Sequence, residues 1–130
     1  MRKIAILVGT VALLTMLFAG VALARNFTCT DRPCYGTTNA DTIFERAGDT
    51  VGDTIYARPG PDYVYANTFE DDNDFLYGQR GNDHLYADDG DYNDILNGGR
   101  GFDVCVGDGD PEDLLHDTYI SCEVINGVVQ

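Results

Sequence analysis

The sequence predicts an all-β fold built from short stacked turns, and three observations support that prediction. Between residues 41 and 106, a series of seven aspartates, starting at Asp41 and ending at Asp103, has an aliphatic residue, or once cysteine, two positions after each member. The recurrences are nearly evenly spaced, and each follows a stretch rich in glycine and acid. Strands this short cannot form a conventional core, but stacked turns can bury one continuous aliphatic row.

Each copy contributes one short strand to the predicted stack. The intervals between neighbouring aspartates are 12, 9, 12, 9, 11 and 9 residues. Neighbouring side chains of an extended strand point to opposite faces. The inward-facing column is predicted to be Ile43, Ile55, Val64, Leu76, Leu85, Leu96 and Cys105. The outward-facing column beside it is predicted to be Phe44, Tyr56, Tyr65, Tyr77 and Tyr86.

The N-terminal end has the pattern of a secretory signal peptide. Arg2 and Lys3 precede an apolar stretch from Ile4 to Ala19, and Ala22-Leu23-Ala24 offers a small-residue cleavage site. We therefore predict a signal peptide over residues 1–24 and a secreted, extracellular product. The alternative is an uncleaved membrane anchor, because the apolar stretch is 21 residues long when read through to Ala24.

The charge balance excludes several classes of partner. The chain holds 22 Asp or Glu against 8 Lys or Arg, for a net charge of −14, and cleavage removes Arg2 and Lys3, leaving 22 acids against 6 arginines, or −16. Such a surface repels nucleic acid phosphates and anionic lipids. We predict no nucleic acid partner, no membrane association after cleavage, and a fold that needs cations.

Four cysteines in an exported chain are most simply two disulfides, for which three pairings exist. Proximity along the chain favours the pairs Cys29–Cys34 and Cys105–Cys122. The rival interpretation is a zinc site, but neither the cysteine spacing nor the two histidines has a zinc-finger arrangement.

Two nine-residue segments carry a resemblance to a known family. Gly98 to Val106 fits the pattern G-G-x-G-x-D-x-U-x, in which U is a large aliphatic residue, at every fixed position except U, which is Cys105. Gly78 to Tyr86 lacks only the second glycine. The pattern resembles the hemolysin-type, or RTX, calcium-binding repeat. The resemblance spans Gly36 to Gly107 and implies a right-handed parallel β-roll of stacked nonapeptide-like repeats, here with short disulfide-bonded terminal segments.

A β-roll with two strands per coil places successive turns on opposite sides. This arrangement explains why short and long intervals between the aspartates alternate. The turns that end at Asp41, Asp62, Asp83 and Asp103 would share one side, which we call the regular edge. The longer turns that end at Asp53, Asp74 and Asp94 would share the other side, the lengthened edge. Insertions confined to one side leave the strand register intact.

The resemblance implies calcium ions between turns stacked on the same side, each turn supplying backbone carbonyls and its aspartate. Calcium takes six to eight oxygen ligands in flexible geometry. On the regular edge the candidate pairs are Asp62 with Asp83, Asp83 with Asp103, and Asp41 with Asp62. The acidic loops of the lengthened edge either bind calcium through carboxylates or are solvated. The predicted metal ligands are Asp41, Asp53, Asp62, Asp74, Asp83, Asp94 and Asp103.

The chain thus divides into a signal peptide (1–24), an N-terminal disulfide-bonded segment (25–35), an RTX-like calcium-binding β-roll (36–107) and an acidic C-terminal cap (108–130). No strand unit is expected after the acidic stretch from Asp108 to Asp113. We predict a secreted calcium-binding protein without catalytic residues. The alternatives are a cell-surface adhesion or carbohydrate-binding module that contacts extracellular polysaccharide, and an enzyme resembling a polysaccharide lyase.

Overall fold

The computed structural model describes residues 24–48, 51–66, 72–109 and 116–130. The predicted signal peptide lies almost wholly outside these residues. The strands are β1 (Arg25–Thr28), β2 (Cys34–Tyr35), β3 (Asp41–Phe44), β4 (Thr54–Tyr56), β5 (Tyr63–Tyr65), β6 (Phe75–Arg80), β7 (His84–Ala87), β8 (Ile95–Arg100), β9 (Val104–Gly107), β10 (Thr118–Ile120), β11 (Val124–Ile125) and β12 (Val128–Val129). Within this part of the chain, no helix is long and apolar enough to span a membrane.

The strands form two sheets in which neighbours along the stack are alternate strands of the chain. One sheet has the order β1-β3-β5-β7-β9-β11-β12 and the other the order β10-β8-β6-β4-β2. The pairs are parallel, except that β12 runs antiparallel to β11. The predicted all-β, parallel solenoid of stacked coils is therefore confirmed.

The core consists of small and aliphatic side chains that the two sheets direct toward each other. The pairings place Ile43 beside Val64 and Val64 beside Leu85, so one strand position repeats along each sheet. All seven side chains of the predicted inward column are fully buried. Ala57 and Ala66 fill the positions two residues after the aliphatic ones, where the strands give way to turns. The predicted inward column is confirmed, and its members are divided between the two sheets.

The predicted outward column forms aromatic ladders on both outer faces. Tyr56 and Tyr77 stack with ring centroids 4.8 Å apart on one sheet. Tyr65 and Tyr86 stack at the same distance on the other. Neighbouring strands of a sheet lie about 4.8 Å apart, so the parallel register itself brings the rings into contact. Further rungs are Phe44 against Tyr65 and Tyr35 against Tyr56.

Both disulfides predicted from proximity are present. Cys29 and Cys34 have Cα atoms 5.6 Å apart, and Cys105 and Cys122 have Cα atoms 6.0 Å apart. Cys105 occupies an inward position of β9 and is fully buried. The second disulfide therefore extends the buried row at its C-terminal end.

The two sheets extend beyond residues 36–107. Strand β1 pairs with β3 and β2 with β4, while β10 pairs with β8 and β11 with β9. The expectation that no strand follows the acidic stretch is wrong, because Asp117 leads directly into β10. Tyr119 takes the position of the aliphatic residue in that strand. A search pattern based on aliphatic side chains therefore did not detect this unit.

Candidate metal sites in the stacked turns

The aspartates of the regular edge lie in a ladder that links each coil to the next. The backbone amide of Asp41 donates to Oδ1 of Asp62 at 2.8 Å, and the amide of Asp62 donates to Oδ1 of Asp83 at 2.9 Å. The amide of Asp83 donates in turn to Oδ1 of Asp103 at 2.8 Å. The amide of Asp103 donates to Oε2 of Glu123 at 2.7 Å, so a glutamate ends the ladder.

The lengthened edge carries a second ladder of the same kind. The amide of Asp53 donates to Oδ1 of Asp74 at 2.6 Å, and that of Asp74 donates to Oδ1 of Asp94 at 2.7 Å. The amide of Asp94 donates to Oδ1 of Asp117 at 3.1 Å. The seven predicted aspartates are thus sorted onto two sides of the roll as expected. Asp117 and Glu123 extend the two ladders and were missed by the sequence pattern.

In most of the predicted aspartates one carboxylate oxygen accepts a hydrogen bond, and the other is buried without a partner. The exception is Asp41, whose two oxygens both accept from Thr37. Among the described residues, no hydrogen-bond donor reaches Oδ2 in six of the predicted aspartates: Asp53, Asp62, Asp74, Asp83, Asp94 and Asp103. Burying a charged oxygen without compensation is costly. A divalent cation coordinated by these carboxylate oxygens would compensate their charge, and calcium prefers oxygen ligands. This set of oxygen ligands therefore fits calcium.

The glycine-rich turns of the regular edge bring backbone carbonyls close to the neighbouring coil. A Cβ atom added to Gly81 would lie 1.7 Å from the carbonyl oxygen of Gly60, and one added to Gly101 would lie 1.4 Å from that of Gly81. No side chain fits at these positions. The turns therefore stack with their carbonyl groups directed along the roll, where they can add neutral oxygen ligands to the carboxylates.

Burial makes negative charge unfavourable along the regular edge. Burial, followed by repulsion from Asp83 and Asp41, raises the pKa of Asp62 to about 7, against the lowering effect of the hydrogen bond from the Asp41 amide. Burial and repulsion from Asp103 raise the pKa of Asp83 to about 6, while the hydrogen bond from the Asp62 amide lowers it. A bound cation would favour the ionised forms of both.

Burial raises carboxylate pKa values further on the lengthened edge. Burial raises the pKa of Asp74 to about 8, and the hydrogen bond from the Asp53 amide only partly opposes it. Burial likewise raises the pKa of Asp94 to about 9, and repulsion from Asp117 and Asp89 adds to the shift. These carboxylates are therefore poorly suited to stay ionised without a counter-ion.

Groups of three carboxylates that could hold one metal ion occur on the lengthened edge. In each group one oxygen from every residue lies within 4.8 Å of the others, and every member is buried. Within the part of the chain that the structure describes, the four groups are Glu45–Asp72–Asp74, Asp72–Asp89–Asp91, Asp74–Asp89–Asp94 and Asp91–Asp94–Asp117. Only Asp74 and Asp94 of these residues belong to the predicted metal set. Of the others, Asp117 precedes β10 in the unit that the pattern missed, whereas Glu45, Asp72, Asp89 and Asp91 do not begin a strand unit. Each group joins residues of different coils and forms only when the coils stack.

Residues 70–105 match the family model of the RTX calcium-binding nonapeptide repeat, in four copies. Residues 70–105 carry RTX repeats. The resemblance read from the residues is confirmed over this span, which contains Asp74, Asp83, Asp94 and Asp103. RTX repeats therefore contribute turns to both edges of the roll. No curated protein and no solved structure matches the chain.

Proposed function

We propose that this protein is a secreted calcium-binding β-roll in which ions held between stacked turns complete the fold. The observation that carries the proposal is the row of buried Oδ2 atoms in Asp62, Asp83 and Asp103, each beside an Oδ1 that already accepts a backbone amide of the preceding coil. The RTX repeats over residues 70–105 support calcium as the ion. The protein acts through binding and structure rather than catalysis.

On the regular edge, the ions lie between turns that are one coil apart. Asp62 with Asp83 and Asp83 with Asp103 are the principal pairs, and Asp41 with Asp62 is a third. The hydrogen bond from the preceding amide to Oδ1 fixes the carboxylates of Asp62, Asp83 and Asp103, which leaves Oδ2 of each to meet the ion. Both oxygens of Asp41 instead accept hydrogen bonds from Thr37, so this aspartate would have to exchange a hydrogen bond for the ion. Calcium supplies the positive charge that the buried carboxylates lack.

Binding and folding are coupled in this proposal. The chain beyond the signal peptide has 22 acids against 6 arginines, and its buried core consists of short aliphatic side chains, alanines and cysteines. Such a core provides little to offset the entropy of ordering the chain and the repulsion of stacked carboxylates. An ion that binds only the folded state stabilises that state by mass action.

Export agrees with this dependence on calcium. Two disulfides favour an oxidising compartment. Modules that work outside the cell bind calcium with dissociation constants of about 10⁻⁴ to 10⁻³ M. The protein would then remain unfolded during synthesis and fold on reaching calcium outside the cell.

The aromatic ladders give limited support to the carbohydrate-binding alternative. Their rings are nearly parallel, with interplanar angles of 12° for Tyr56 and Tyr77 and 5° for Tyr65 and Tyr86. Rings stacked on one another cover each other's faces, and a sugar that packs on an aromatic residue needs a free face. Rung-to-rung stabilisation of the sheets accounts for these residues more directly.

The test is a calcium titration of the oxidised protein, purified after export and freed of metal, with magnesium as the control ion. We expect a calcium-specific gain of β signal in far-ultraviolet circular dichroism and a matching heat of binding by calorimetry. A metal-free protein that is already fully folded and gives no heat with calcium would overturn the proposal.

A further inference from the structure

The lengthened edge contains a group of carboxylates that the repeat motif does not explain. We propose that Asp74, Asp89 and Asp94 hold a calcium ion of their own, in a site where side-chain carboxylates take the place of turn carbonyls. This site lies on the opposite side of the roll from the pairs assigned above, and it includes a residue, Asp89, that does not begin a strand.

The distances fit one ion. One carboxylate oxygen from each of the three residues lies within 4.8 Å of the other two. Calcium binds oxygen at 2.3 to 2.6 Å, so two ligands on opposite sides of one ion are about 5 Å apart. All three residues can therefore reach a common ion without a change of fold.

Each of the three carboxylates also has an oxygen that needs a partner. Oδ1 of Asp74, Asp94 and Asp89 accepts a backbone amide, from Asp53, Asp74 and Asp91 respectively. Their Oδ2 atoms are buried and receive no hydrogen bond from the described residues. Asp74 and Asp94 are fully buried, and Asp89 is only 4% exposed. These are unpartnered oxygens inside the protein rather than solvated surface acid.

The charge of the group is not balanced by the protein. Three carboxylates converge here, and across the described ranges no arginine forms an ion pair with any of them. The arginine ion pair on this edge joins Arg32 to Asp53, at 2.6 Å, one coil further toward the N-terminus. Lys3 is the single lysine of the sequence and lies in the predicted signal peptide. A divalent cation is the simplest compensation for this charge.

Alignment of the two edges shows how the site arises. Asp89 stands five residues before Asp94, as Gly98 stands five residues before Asp103. At Gly98 a Cβ atom would lie 2.4 Å from the Cβ of Asp103, so the regular turn has no room for a side chain there. The lengthened turn accommodates Asp89 at the corresponding place. The next residue, Gly90, keeps a positive φ of 111°, close to the 101° of Gly99.

The adjoining group of Asp91, Asp94 and Asp117 is a weaker candidate for a separate ion. Asp117 already accepts two backbone amides, from Asp94 at 3.1 Å through Oδ1 and from Asp108 at 2.6 Å through Oδ2. Both of its oxygens are therefore engaged. Asp117 instead fixes the backbone of Asp94 and supports the neighbouring site.

The test compares Asp89→Asn with Asp88→Asn in the oxidised protein. Both changes remove one negative charge from the same loop, but Asp88 is exposed and belongs to no carboxylate group. We expect Asp89→Asn to bind one calcium ion fewer by equilibrium dialysis and calorimetry, and Asp88→Asn to bind the wild-type number. Asp89→Ser, which is smaller and uncharged, provides the same comparison if the asparagine variant does not fold.

Thermal unfolding with and without calcium separates a metal site from a structural role. Asp89→Asn should unfold at the wild-type temperature or higher in chelator, because a buried charge is removed, and at a lower temperature than wild type in calcium. Equal stoichiometry and equal stabilisation by calcium in the two variants would refute the site. Asp83→Asn tests the regular edge separately. If Asp83→Asn binds the wild-type number of ions while Asp89→Asn binds one fewer, the regular-edge proposal fails and this site stands; the opposite result refutes this site alone.

Discussion

The backbone amide of Asp62 donates a hydrogen bond of 2.9 Å to Oδ1 of Asp83, which lies 21 residues further along the chain. One side chain therefore joins two coils, while its second oxygen remains buried and unpaired. The two oxygens of Asp83 can be tested separately, because asparagine retains a carbonyl oxygen where aspartate has a carboxylate.

Asp83→Asn should keep the link between coils and weaken calcium binding. The amide side chain can still accept from Asp62, but it offers the ion no negative charge. We expect the calcium midpoint in circular dichroism to rise at least about tenfold, which corresponds to about 1.4 kcal/mol. Asp83→Ala, which loses both functions, should raise the midpoint further, and Asp88→Asn should leave it unchanged. Equal midpoints for Asp83→Asn and wild type would argue against an ion at this aspartate.

Gln79→Gly should stabilise the calcium-bound protein. Gln79 has φ of 77° at the turn position that Gly99 occupies one coil later with φ of 101°. A side chain in the left-handed region costs about 1–2 kcal/mol, and the extra freedom of glycine in the unfolded chain returns part of this. We expect a net gain of about 0.5–1 kcal/mol in thermal or denaturant unfolding. Gln79→Ala is the control and should give no such gain.

Gly81→Ala should disrupt the stacking of the regular edge. The new methyl group would lie 1.7 Å from the carbonyl oxygen of Gly60, and the coils would have to separate to admit it. We expect a loss of more than about 3 kcal/mol, measured by denaturant unfolding in calcium. Gly90→Ala is the matched control, because nothing lies within 4 Å of its added Cβ and only the strain of its φ of 111° remains. Similar losses for both variants would show that strain, not the clash, is responsible.

The metal-free protein should be more stable in mild acid than in mild base. Burial raises the pKa of Asp62 to about 7 and that of Asp74 to about 8, from an ordinary value of 3.8. The folded state therefore binds protons more tightly than the unfolded state, and stability is lost as pH rises from about 4 through these pKa values. Thermal unfolding in chelator at pH 5 and pH 8 measures the difference.

Calcium should reverse part of that pH dependence. Protons and calcium compete for the same carboxylates, so calcium affinity should fall as pH is lowered below the pKa of Asp62 and Asp74. A calorimetric titration at both pH values, in buffers of different ionisation enthalpy, should also detect proton release on binding. Calcium affinity that is independent of pH would mean that these carboxylates are not ligands.

The architecture could be predicted from the sequence because its periodicity has few physical solutions. Asp74 and Asp83 occupy the same position of the repeat, and Leu76 and Leu85 follow them by two residues. This regularity determines the strand, the inward face and the sheet to which each turn belongs. The two disulfides followed from proximity. Tyr119 and Glu123 escaped the pattern because an aromatic ring replaces the aliphatic side chain in one unit and a glutamate replaces the aspartate in the other.

The candidate site was less predictable than the fold. The sequence identifies which residues are acidic, but the choice between the two oxygens of Asp83 depends on the amide of the coil before it. Asp89 and Asp74 are 15 residues apart in the sequence and meet only when their coils are stacked. The carboxylate groups of the lengthened edge are therefore a property of the folded roll.

Strand β12 has a consequence for how this molecule behaves in solution. Every coil of a parallel roll presents hydrogen-bonding groups on which another coil could form, so an uncovered end would template the addition of further chains. Here the chain reverses at Asn126 and Gly127, and β12 pairs antiparallel with β11 through Val124–Val129 and Ile125–Val128. The edge strand β12 is thus two residues long and runs antiparallel to the strand beside it. In this sheet the hairpin covers β11 with a strand of opposite direction, which hinders the addition of a further parallel coil at that edge.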